Sequence, residues 1–255
     1  MSYTPSTYGD EIGDVYDLLY ESVDPAAIPT LSELAGGGSV LELGIGTGRL
    51  ALPLAAQGLR ISGIDASLKM IEKLRAKPGG SDIAITVGDF SSVVLEDRFD
   101  LVFIAFNTFF ALDTAEDQLR CFRRVATMLN SRGVFAMEAF VPDLGRFDRG
   151  QRFSVFRVEA NHVWLEASTH DRLHQVVNSQ LVRLSNQGTR LYPIRIRYAW
   201  PTELDRMAEL AGLRLRHRWG GWKQQPFHSE SLTHVSVYEH AGIAATGGRS
   251  EVRNA

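Results

Sequence analysis

Three glycines at alternate positions, Gly44, Gly46 and Gly48, follow an apolar run and precede a segment with helical spacing. Glycine at alternate positions weakens a strand, because it offers no side chain to pack and costs backbone entropy. It suits a tight turn at which the main chain must come close to a ligand. A turn from a strand into a helix also points backbone N–H groups at that ligand. The stretch therefore predicts a binding loop for a polar molecule; a glycine turn without a ligand is the alternative.

Three carboxylates accompany this loop. Glu42 precedes the first glycine by two residues, Asp65 ends the next predicted strand, and Asp89 follows the strand after that. Ligands of open parallel sheets bind outside the carboxyl ends of the strands, so we expect the three acids at one site. A carboxylate about twenty residues past such glycines, as Asp65 is, can accept both hydroxyls of a ribose. Asp89 is suited to accept the exocyclic amine of an adenine, although any one of these acids could instead cap a helix or form a turn.

The glycine spacing separates two cofactors that contain a nucleoside. A dinucleotide loop has the spacing G-x-G-x-x-G, whereas this chain has G-x-G-x-G. Glu42 also suits a cationic aminoacyl group better than a pyrophosphate. In these features the chain resembles the class I S-adenosylmethionine-dependent methyltransferases. The resemblance is carried by V-L-E-L-G-I-G-T-G at residues 40–48, G-I-D at 63–65 and V-G-D-F at 87–90.

The resemblance covers about residues 38–140 and the closing strands, and it implies S-adenosyl-L-methionine as the cofactor. It implies that the cofactor is held by the glycine loop, the acidic turns and the tail of the fourth strand. The cofactor-binding residues expected on this basis are Tyr16, Glu42, Gly44, Ile45, Gly46, Gly48, Asp65, Ala66, Met70, Gly88, Asp89, Phe90 and Phe106. By family analogy, Tyr8 and Tyr16 reach the carboxylate of the cofactor or close over the acceptor.

The fourth strand is predicted over Phe99–Phe106. Its tail, A-F-N-T-F-F at residues 105–110, occupies the place that faces the transferred methyl group in this family. Methyltransferases that act on base amines resemble one another in an Asn/Asp-Pro-Pro-aromatic run there, and its absence argues against nucleobase chemistry. Asn107 is a candidate for hydrogen bonds near the sulfonium or the acceptor, or else a loop residue. Glu138, near the end of the fifth strand, is a candidate general base or a solvent-facing strand residue. Tyr8, Asn107 and Glu138 are the expected catalytic residues.

Other kinds of site find little support in the sequence. Five histidines are weaker candidates for a base, and each is more typical of a surface residue: His162, His170, His174, His228 and His234. No pair of them has metal-ligand spacing such as H-x-x-x-H on a helix, so we expect no metal site. No Gly-x-Ser-x-Gly elbow supports a serine nucleophile.

The elements around the motifs indicate an α/β fold. Five apolar strands alternate with helical segments up to residue 140, which predicts a doubly wound, mostly parallel, seven-stranded sheet once two closing strands are added. From residue 152 the pattern changes to alternating polar and apolar residues, which predicts an inserted antiparallel β meander. Pro193 indicates that its strand lies at an edge or begins anew.

We divide the chain into five parts: an N-terminal helical lid (1–36), the cofactor-binding α/β core (37–145), the antiparallel insertion (146–200), a closing helix and strands (201–240) and a flexible tail (241–255). The lid is predicted as one amphipathic helix over Tyr8–Tyr20 and a second over Ala26–Leu34. The lid and insertion are similar to those of small-molecule methyltransferases of natural-product pathways, including the enzymes that dimethylate amino-deoxysugars, commonly as dimers. The insertion therefore serves as a substrate roof or as the interface of a homodimer.

Composition narrows the class of protein. The chain of 255 residues is 44% hydrophobic and 22% charged with a net charge of -3, so it has no general attraction to nucleic acid or to an anionic membrane. Cys121 is the single cysteine, which excludes an internal disulfide. No apolar run is long enough to span a bilayer, and the first residues lack the features of a signal peptide, so we expect a cytoplasmic protein.

Together these features predict a cytoplasmic S-adenosylmethionine-dependent methyltransferase that acts on a small molecule, with N-methylation ahead of O-methylation. Two alternatives stay open. One is a nicotinamide-dependent oxidoreductase, against which the glycine spacing argues. The other is a module that binds S-adenosylmethionine without catalysing a reaction.

Overall fold

The computed structural model of the protein describes residues 3–242. Within them the helices are α1 (Thr7–Ile12), α2 (Tyr16–Leu19), α3 (Ala27–Ala35), α4 (Ala51–Ala56), α5 (Leu68–Arg75), α6 (Ala115–Met128) and α7 (Pro201–Leu210). The strands are β1 (Ser39–Leu43), β2 (Arg60–Asp65), β3 (Ala84–Val87), β4 (Phe99–Ile104), β5 (Leu129–Phe140), β6 (Gln151–Val158), β7 (His162–Asp171), β8 (Val176–Ser185), β9 (Gly188–Arg197), β10 (Leu213–Trp219) and β11 (Thr233–His240). The predicted flexible tail lies, from residue 243 onward, outside the described residues.

The larger sheet has seven strands in the order β10-β11-β5-β4-β1-β2-β3. The five strands from β1 to β5 pair with one another in parallel, β11 pairs antiparallel with β5, and β10 pairs antiparallel with β11. This arrangement confirms the predicted doubly wound sheet. The chain runs outward from β1 to β3 and then returns to the other side of β1 as β4. The crevice between the ends of β1 and β4 is therefore the topological switch point, where ligands of such sheets bind.

Both faces of this sheet are covered, which explains the continuous apolar runs of its strands. In β4, Leu101 and Phe103 pack into the layer formed with α3 and α4, whereas Val102 and Ile104 pack into the layer formed with α6 and α7. All four side chains are completely buried. The alternation follows from the period of two along a strand. The core thus holds the ends of β1 and β4 in fixed positions.

The second sheet is an antiparallel meander in the order β6-β7-β8-β9, as predicted for the insertion. Pro193 lies in β9, an edge strand, where a missing N–H leaves no gap in the ladder. Arg197, at the end of β9, is buried and its Nη2 lies 2.6 Å from Oε1 of Glu203 on α7. This ion pair joins the meander to the larger sheet's helical layer.

The prediction of one helix over Tyr8–Tyr20 is wrong, because α1 ends at Ile12 and α2 begins only at Tyr16. The glycines of this segment explain the break. A Cβ atom added at Gly9 would lie 2.6 Å from Cβ of Ser67, so α1 sits directly on the start of α5. Gly13 caps α1 with an ordinary right-handed φ of -49°, and a Cβ atom there would lie 3.2 Å from the side chain of Lys69, so this end of α1 also lies close against α5. The lid is therefore a bent pair of short helices. None of the described helices combines the length and hydrophobicity required to cross a membrane.

Candidate active site

The glycine loop takes a conformation that needs glycine. Gly44 and Gly46 have φ angles of +69° and +55°, and a Cβ atom at Gly44 would lie 2.5 Å from Cγ2 of Thr108. Asp65 ties this loop to the next turn: its Oδ2 accepts from the N–H of Gly46 at 2.7 Å, and its Oδ1 accepts from the N–H of Ser67 at 2.8 Å. Burial raises the pKa of Asp65 while these two N–H groups lower it, with burial the larger effect.

Glu42 lies at the end of β1, below the loop, and is only 6% exposed. Among residues 3–242, none donates a hydrogen bond to its Oε2. Burial raises the pKa of this carboxyl well above its usual range, although the guanidinium of Arg49 opposes the shift. A buried carboxylate oxygen without a partner is costly and is normally satisfied by a ligand or water. An ammonium group would satisfy it.

One cavity of about 100 Å³ extends from the glycine loop to the third acidic turn, and it collects many of the predicted residues. Its lining includes Tyr8, Tyr16, Gly44, Gly46, Asp65, Ala66, Met70, Asp89 and Phe90. Ligand cavities usually measure about 300–1,000 Å³. Because the lid forms one wall, a nucleoside-sized ligand enters only if the lid moves.

Three other predicted residues support this loop. The buried side chain of Ile45 packs against Gly63, where a Cβ atom would lie 2.4 Å from its Cδ1. Gly48, with a φ of +78°, leads into α4. Gly88 donates its N–H to the carbonyl of Asp65 at 2.9 Å. These contacts set the relative positions of the first three strand ends.

Asp89 makes the local hydrogen bonds expected of a turn-forming residue, which was the alternative interpretation of this acid. Its Oδ1 accepts from the N–H of Ser91 at 2.8 Å, and its Oδ2 accepts from the hydroxyl of Ser91 at 2.9 Å. The carboxylate still lines the cavity beside Phe90. Each carboxylate oxygen has a second acceptor site, so these bonds leave capacity for a ligand.

The predicted extension of β4 to Phe106 is wrong, because β4 ends at Ile104 and the chain then turns. Phe106 and Asn107 have left-handed φ angles of +55° and +65°, which cost energy in residues other than glycine. Two side chains hold the turn. Oε2 of Glu138 accepts from the N–H of Phe106 at 2.8 Å, and Oδ1 of Asn107 accepts from the N–H of Phe140 at 2.6 Å.

The turn presents the half-exposed ring of Phe106 to the lid. The ring of Tyr20 lies 5.0 Å from Phe106 and 5.0 Å from Tyr16, and Tyr8 donates a hydrogen bond to the Tyr20 hydroxyl at 3.4 Å. The guanidinium of Arg49 lies 4.4 Å from the Phe106 ring centre. Burial raises the pKa of Tyr16 to about 12 and that of Tyr8 well above its usual value, so both are neutral phenols near pH 7.

Tyr20 and Arg49 were missed by the sequence analysis. Tyr20 ends the aromatic-rich segment to which Tyr8 and Tyr16 belong, and Arg49 directly follows the last glycine of the loop. Both positions were therefore close to a motif. Their side-chain directions depend on the break at Gly13 and on the turn at Phe106, which the sequence patterns did not indicate.

Acidic residues fasten the lid to the core. Asp14 Oδ2 lies 2.7 Å from Nζ of Lys69, and Asp17 Oδ2 lies 2.8 Å from Nζ of Lys77. The hydroxyl of Thr47, inside the glycine loop, donates to Asp17 at 2.6 Å. The lid is thus bonded both to α5 and to the loop that it covers.

The histidines lie elsewhere. No histidine is found among the residues that line the cavity in the described part of the chain. His234 is completely buried in β11, and burial lowers its pKa to about 4. Residues 3–242 also contain no group of His, Cys, Asp and Glu placed to hold a metal ion.

Comparisons with known proteins agree with this arrangement. The family described as "Methyltransferase domain" matches residues 40–133, which include the glycine loop and the three acids. The cypemycin N-terminal methyltransferase of a Streptomyces species is 27% identical over 92% of this chain and 98% of its own length. SAM-bound CalS10, an amino pentose methyltransferase from Micromonospora echinaspora, shares the fold at 20% identity and a TM-score of 0.59, covering 90% of this chain and 91% of its own.

The CcbJ methyltransferase from Streptomyces caelestis is more similar. The two chains are 40% identical, the alignment covers 94% of this chain and 100% of CcbJ, and the TM-score is 0.88. This likeness supports neither the oxidoreductase alternative nor the non-catalytic module. With the motifs and the switch-point cavity, it shows that the chain belongs to the class I S-adenosylmethionine-dependent methyltransferases.

Proposed function

We propose that this enzyme transfers the methyl group of S-adenosyl-L-methionine to an amine of a small molecule in a natural-product pathway. The observation that carries the proposal is the buried, unpartnered Oε2 of Glu42 beside the glycine loop, which suits the ammonium of an aminoacyl group. Relatives whose names specify an N terminus or an amino sugar support N-methylation over O-methylation. A cytoplasmic location, and an acceptor other than nucleic acid or a membrane lipid, remain part of this proposal.

In this proposal the cofactor lies across the ends of β1, β2 and β3. Glu42 binds its ammonium group, Asp65 accepts its ribose hydroxyls, and Asp89 and Phe90 flank its adenine. The residues that line the cavity beside them, Ala66 and Met70, complete its walls. When bound, the cofactor supplies a methyl group already activated by the positive sulfonium.

The lid and the Phe106 turn then have to align the acceptor and exclude water. Alignment of two reactants in a closed site can supply on the order of 7–11 kcal/mol. The faces of Tyr16, Tyr20 and Phe106 attract a cationic centre. When the ligand binds, the neutral phenol of Tyr8 exchanges its hydrogen bond to Tyr20 for one towards the cofactor or the acceptor. The amine loses its proton to water before its lone pair attacks the methyl group.

Asn107 and Glu138 act, in this proposal, through the turn that they hold. The hydrogen bond from the Phe106 N–H to Glu138 supports a positioning role better than the role of general base that its sequence position indicated. The bond of Asn107 with the Phe140 N–H supports the same view. Both residues fix the aromatic wall that faces the transferred methyl group.

Calorimetry with S-adenosylhomocysteine tests the cofactor assignment. We expect micromolar binding by the wild-type protein and its loss in Asp65→Ala, with Asp148→Ala as a control acid in the insertion. Transfer of labelled methyl from S-adenosylmethionine to simple amines and to matched alcohols tests the acceptor. Absence of binding, or labelling of alcohols alone, would contradict the proposal.

We also propose that a homodimer forms through the outward face of the second sheet. Val155, Leu165, Val182 and Leu191 are directly opposite one another in register and form an apolar row across all four strands of that face. Val155 and Leu191 are 60% and 52% exposed. Contiguous exposed apolar surface of this kind is unusual on a monomer and is typical of an interface. A self-complementary sheet face suits a second copy of the chain related by twofold symmetry.

A further inference from the structure

The most informative polar group outside the predicted site is the carboxylate of Glu166. Trp164, two residues earlier on β7, and Leu181, opposite Glu166 on β8, pack in one cluster with the tyrosines of the lid. Side chains two residues apart on a strand share a face, and so do directly opposed residues. Glu166 therefore lies on the sheet face that covers the lid. Its side chain is 23% exposed.

The bonds that Glu166 makes are long. Its Oε2 lies 3.6 Å from Nη1 of Arg152, and its Oε1 accepts from the hydroxyl of Ser168 at 3.4 Å. A well-formed ion pair of arginine with a carboxylate measures about 2.7–2.9 Å. Since neither oxygen is tightly held, the carboxylate retains capacity for a further charged donor.

Glu166 is also electrostatically close to the aromatic residues of the site. Burial raises the pKa of Tyr20, and the negative charge of Glu166 raises it further. The ring of Tyr20 contacts Phe106, at the turn that faces the switch-point crevice. A negative charge therefore lies behind aromatic rings. An organic cation is attracted both by the charge of the carboxylate and by the faces of the rings.

We propose that Glu166 is an acceptor-binding residue, which holds the ammonium form of the amine substrate and directs it towards Phe106. The inference rests on the proposed function. It identifies the carboxylate of Glu166 as the group that selects amine substrates. Its role is recognition and positioning of the substrate. A basic amine is a cation near neutral pH, so a partly buried carboxylate favours it over an alcohol of the same shape.

The competing explanation is that Glu166 merely pairs with Arg152 to stabilise the sheet. Two variants separate the explanations. Glu166→Gln removes the charge and keeps the shape, whereas Arg152→Gln removes the ion pair and leaves the carboxylate in place. A structural ion pair predicts the same effect for both variants. An ammonium-binding carboxylate predicts opposite effects, because Arg152 competes with the substrate for Glu166.

The test measures binding of trialanine and of methyl 3-amino-3-deoxyglucoside to the complex of the enzyme with S-adenosylhomocysteine. We expect at least one amine to bind, its affinity to fall about tenfold or more in Glu166→Gln, and to be equal or higher in Arg152→Gln. N-acetylated versions of both probes, which carry no charge, should bind weakly to all three proteins. Thermal melting of each variant verifies that it is folded.

Three outcomes would overturn the inference. One is affinity within twofold of wild type in Glu166→Gln, and another is equal loss in both variants. The third is binding of S-adenosylhomocysteine by wild type without binding of either amine. Failure to bind S-adenosylhomocysteine at all would instead contradict the proposed function, and the inference with it, so the two failures are distinguishable.

Discussion

Oε2 of Glu138 accepts a hydrogen bond from the main-chain N–H of Phe106 at a distance of 2.8 Å. Phe106 has a left-handed φ angle, which a residue with a large side chain adopts only where surrounding contacts enforce it. A side chain from the end of β5 thus sets the backbone of the segment after β4. The orientation of the Phe106 ring depends on this bond.

Replacement of Glu138 should therefore impair alignment of the substrate more than binding of the cofactor. We expect Glu138→Ala to lower kcat about tenfold or more, while Glu138→Gln retains most activity because its amide oxygen can still accept from Phe106. S-adenosylhomocysteine affinity should change little in either variant. Steady-state kinetics with calorimetry check this. If Glu138→Gln is as inactive as Glu138→Ala, Glu138 is a general base and the positioning role is wrong.

Glu42 should release a proton when the cofactor binds. Burial raises the pKa of this carboxyl in the free enzyme, and an incoming ammonium group favours the charged form. Binding at a pH below this raised pKa is then accompanied by proton release from the protein. Calorimetry of S-adenosylhomocysteine in buffers of different ionisation enthalpy measures the number of protons. Glu42→Gln should lower affinity and abolish this release, and an unchanged proton number would contradict the assignment.

The ion pairs of the lid should control how fast the cofactor leaves. Asp14 bonds to Lys69, and this contact is the main cause of the lowered pKa of Asp14. Exposed ion pairs weaken with salt. We expect Asp14→Asn to speed S-adenosylhomocysteine dissociation several-fold and to reduce its dependence on salt, whereas Glu21→Gln, an exposed lid residue, should match wild type. Stopped-flow displacement measures both rates; equal salt dependence in all three proteins would refute the prediction.

The stability of the fold should decline in mild acid because of His234. Its ring is buried among Ser236, Arg218 and Phe227, and burial, followed by the charge of Arg218, lowers its pKa to about 4. The unfolded chain binds this proton near pH 6.5 but the folded chain does not, so the free energy of unfolding falls between pH 6.5 and 4. The loss is on the order of 3 kcal/mol. Urea unfolding across this range measures it, and His234→Gln should have a flatter pH profile.

Val155 lies in the apolar row on the outward face of the second sheet, and a charge there should disrupt the proposed dimer. We expect Val155→Asp to be monomeric in size-exclusion chromatography with light scattering, because an interface core excludes an unpaired charge. Leu173→Asp is the control, since Leu173 is 85% exposed at the β7–β8 turn, away from the row. A monomeric wild type would refute the proposal outright.

The doubly wound sheet and the positions of the acidic turns followed from local sequence. Glycine spacing and apolar runs act within a few residues, so the sequence alone predicts that Gly44, Glu42 and Asp65 share one crevice. Extending β4 to Phe106 was wrong because two residues there adopt left-handed angles under the influence of Glu138, which is 32 residues away. No local propensity predicts such a contact.

In the lid and the insertion, too, local sequence did not predict the tertiary contacts. Tyr8–Tyr20 has the spacing of one helix, but close packing of Gly9 on Ser67 and the break at Gly13 come from tertiary structure. The register that places Glu166 opposite Leu181 pairs residues that are fifteen positions apart in the chain. Alternation in the sequence predicted which residues share a face. It did not predict which face meets the lid.

Because the lid fits closely over the cavity, its opening affects how fast the enzyme can turn over. In the proposed site the donor is consumed in each cycle, and its product would be held in the same cavity, whose lining includes Tyr8 and Tyr16. Every cycle therefore includes one opening of the bent helices, whatever amine is methylated. Where methyl transfer is faster than this motion, the demethylated product of the donor accumulates on the enzyme and the first turnover is faster than those that follow. The steady-state rate is then set by the first twenty residues of the chain.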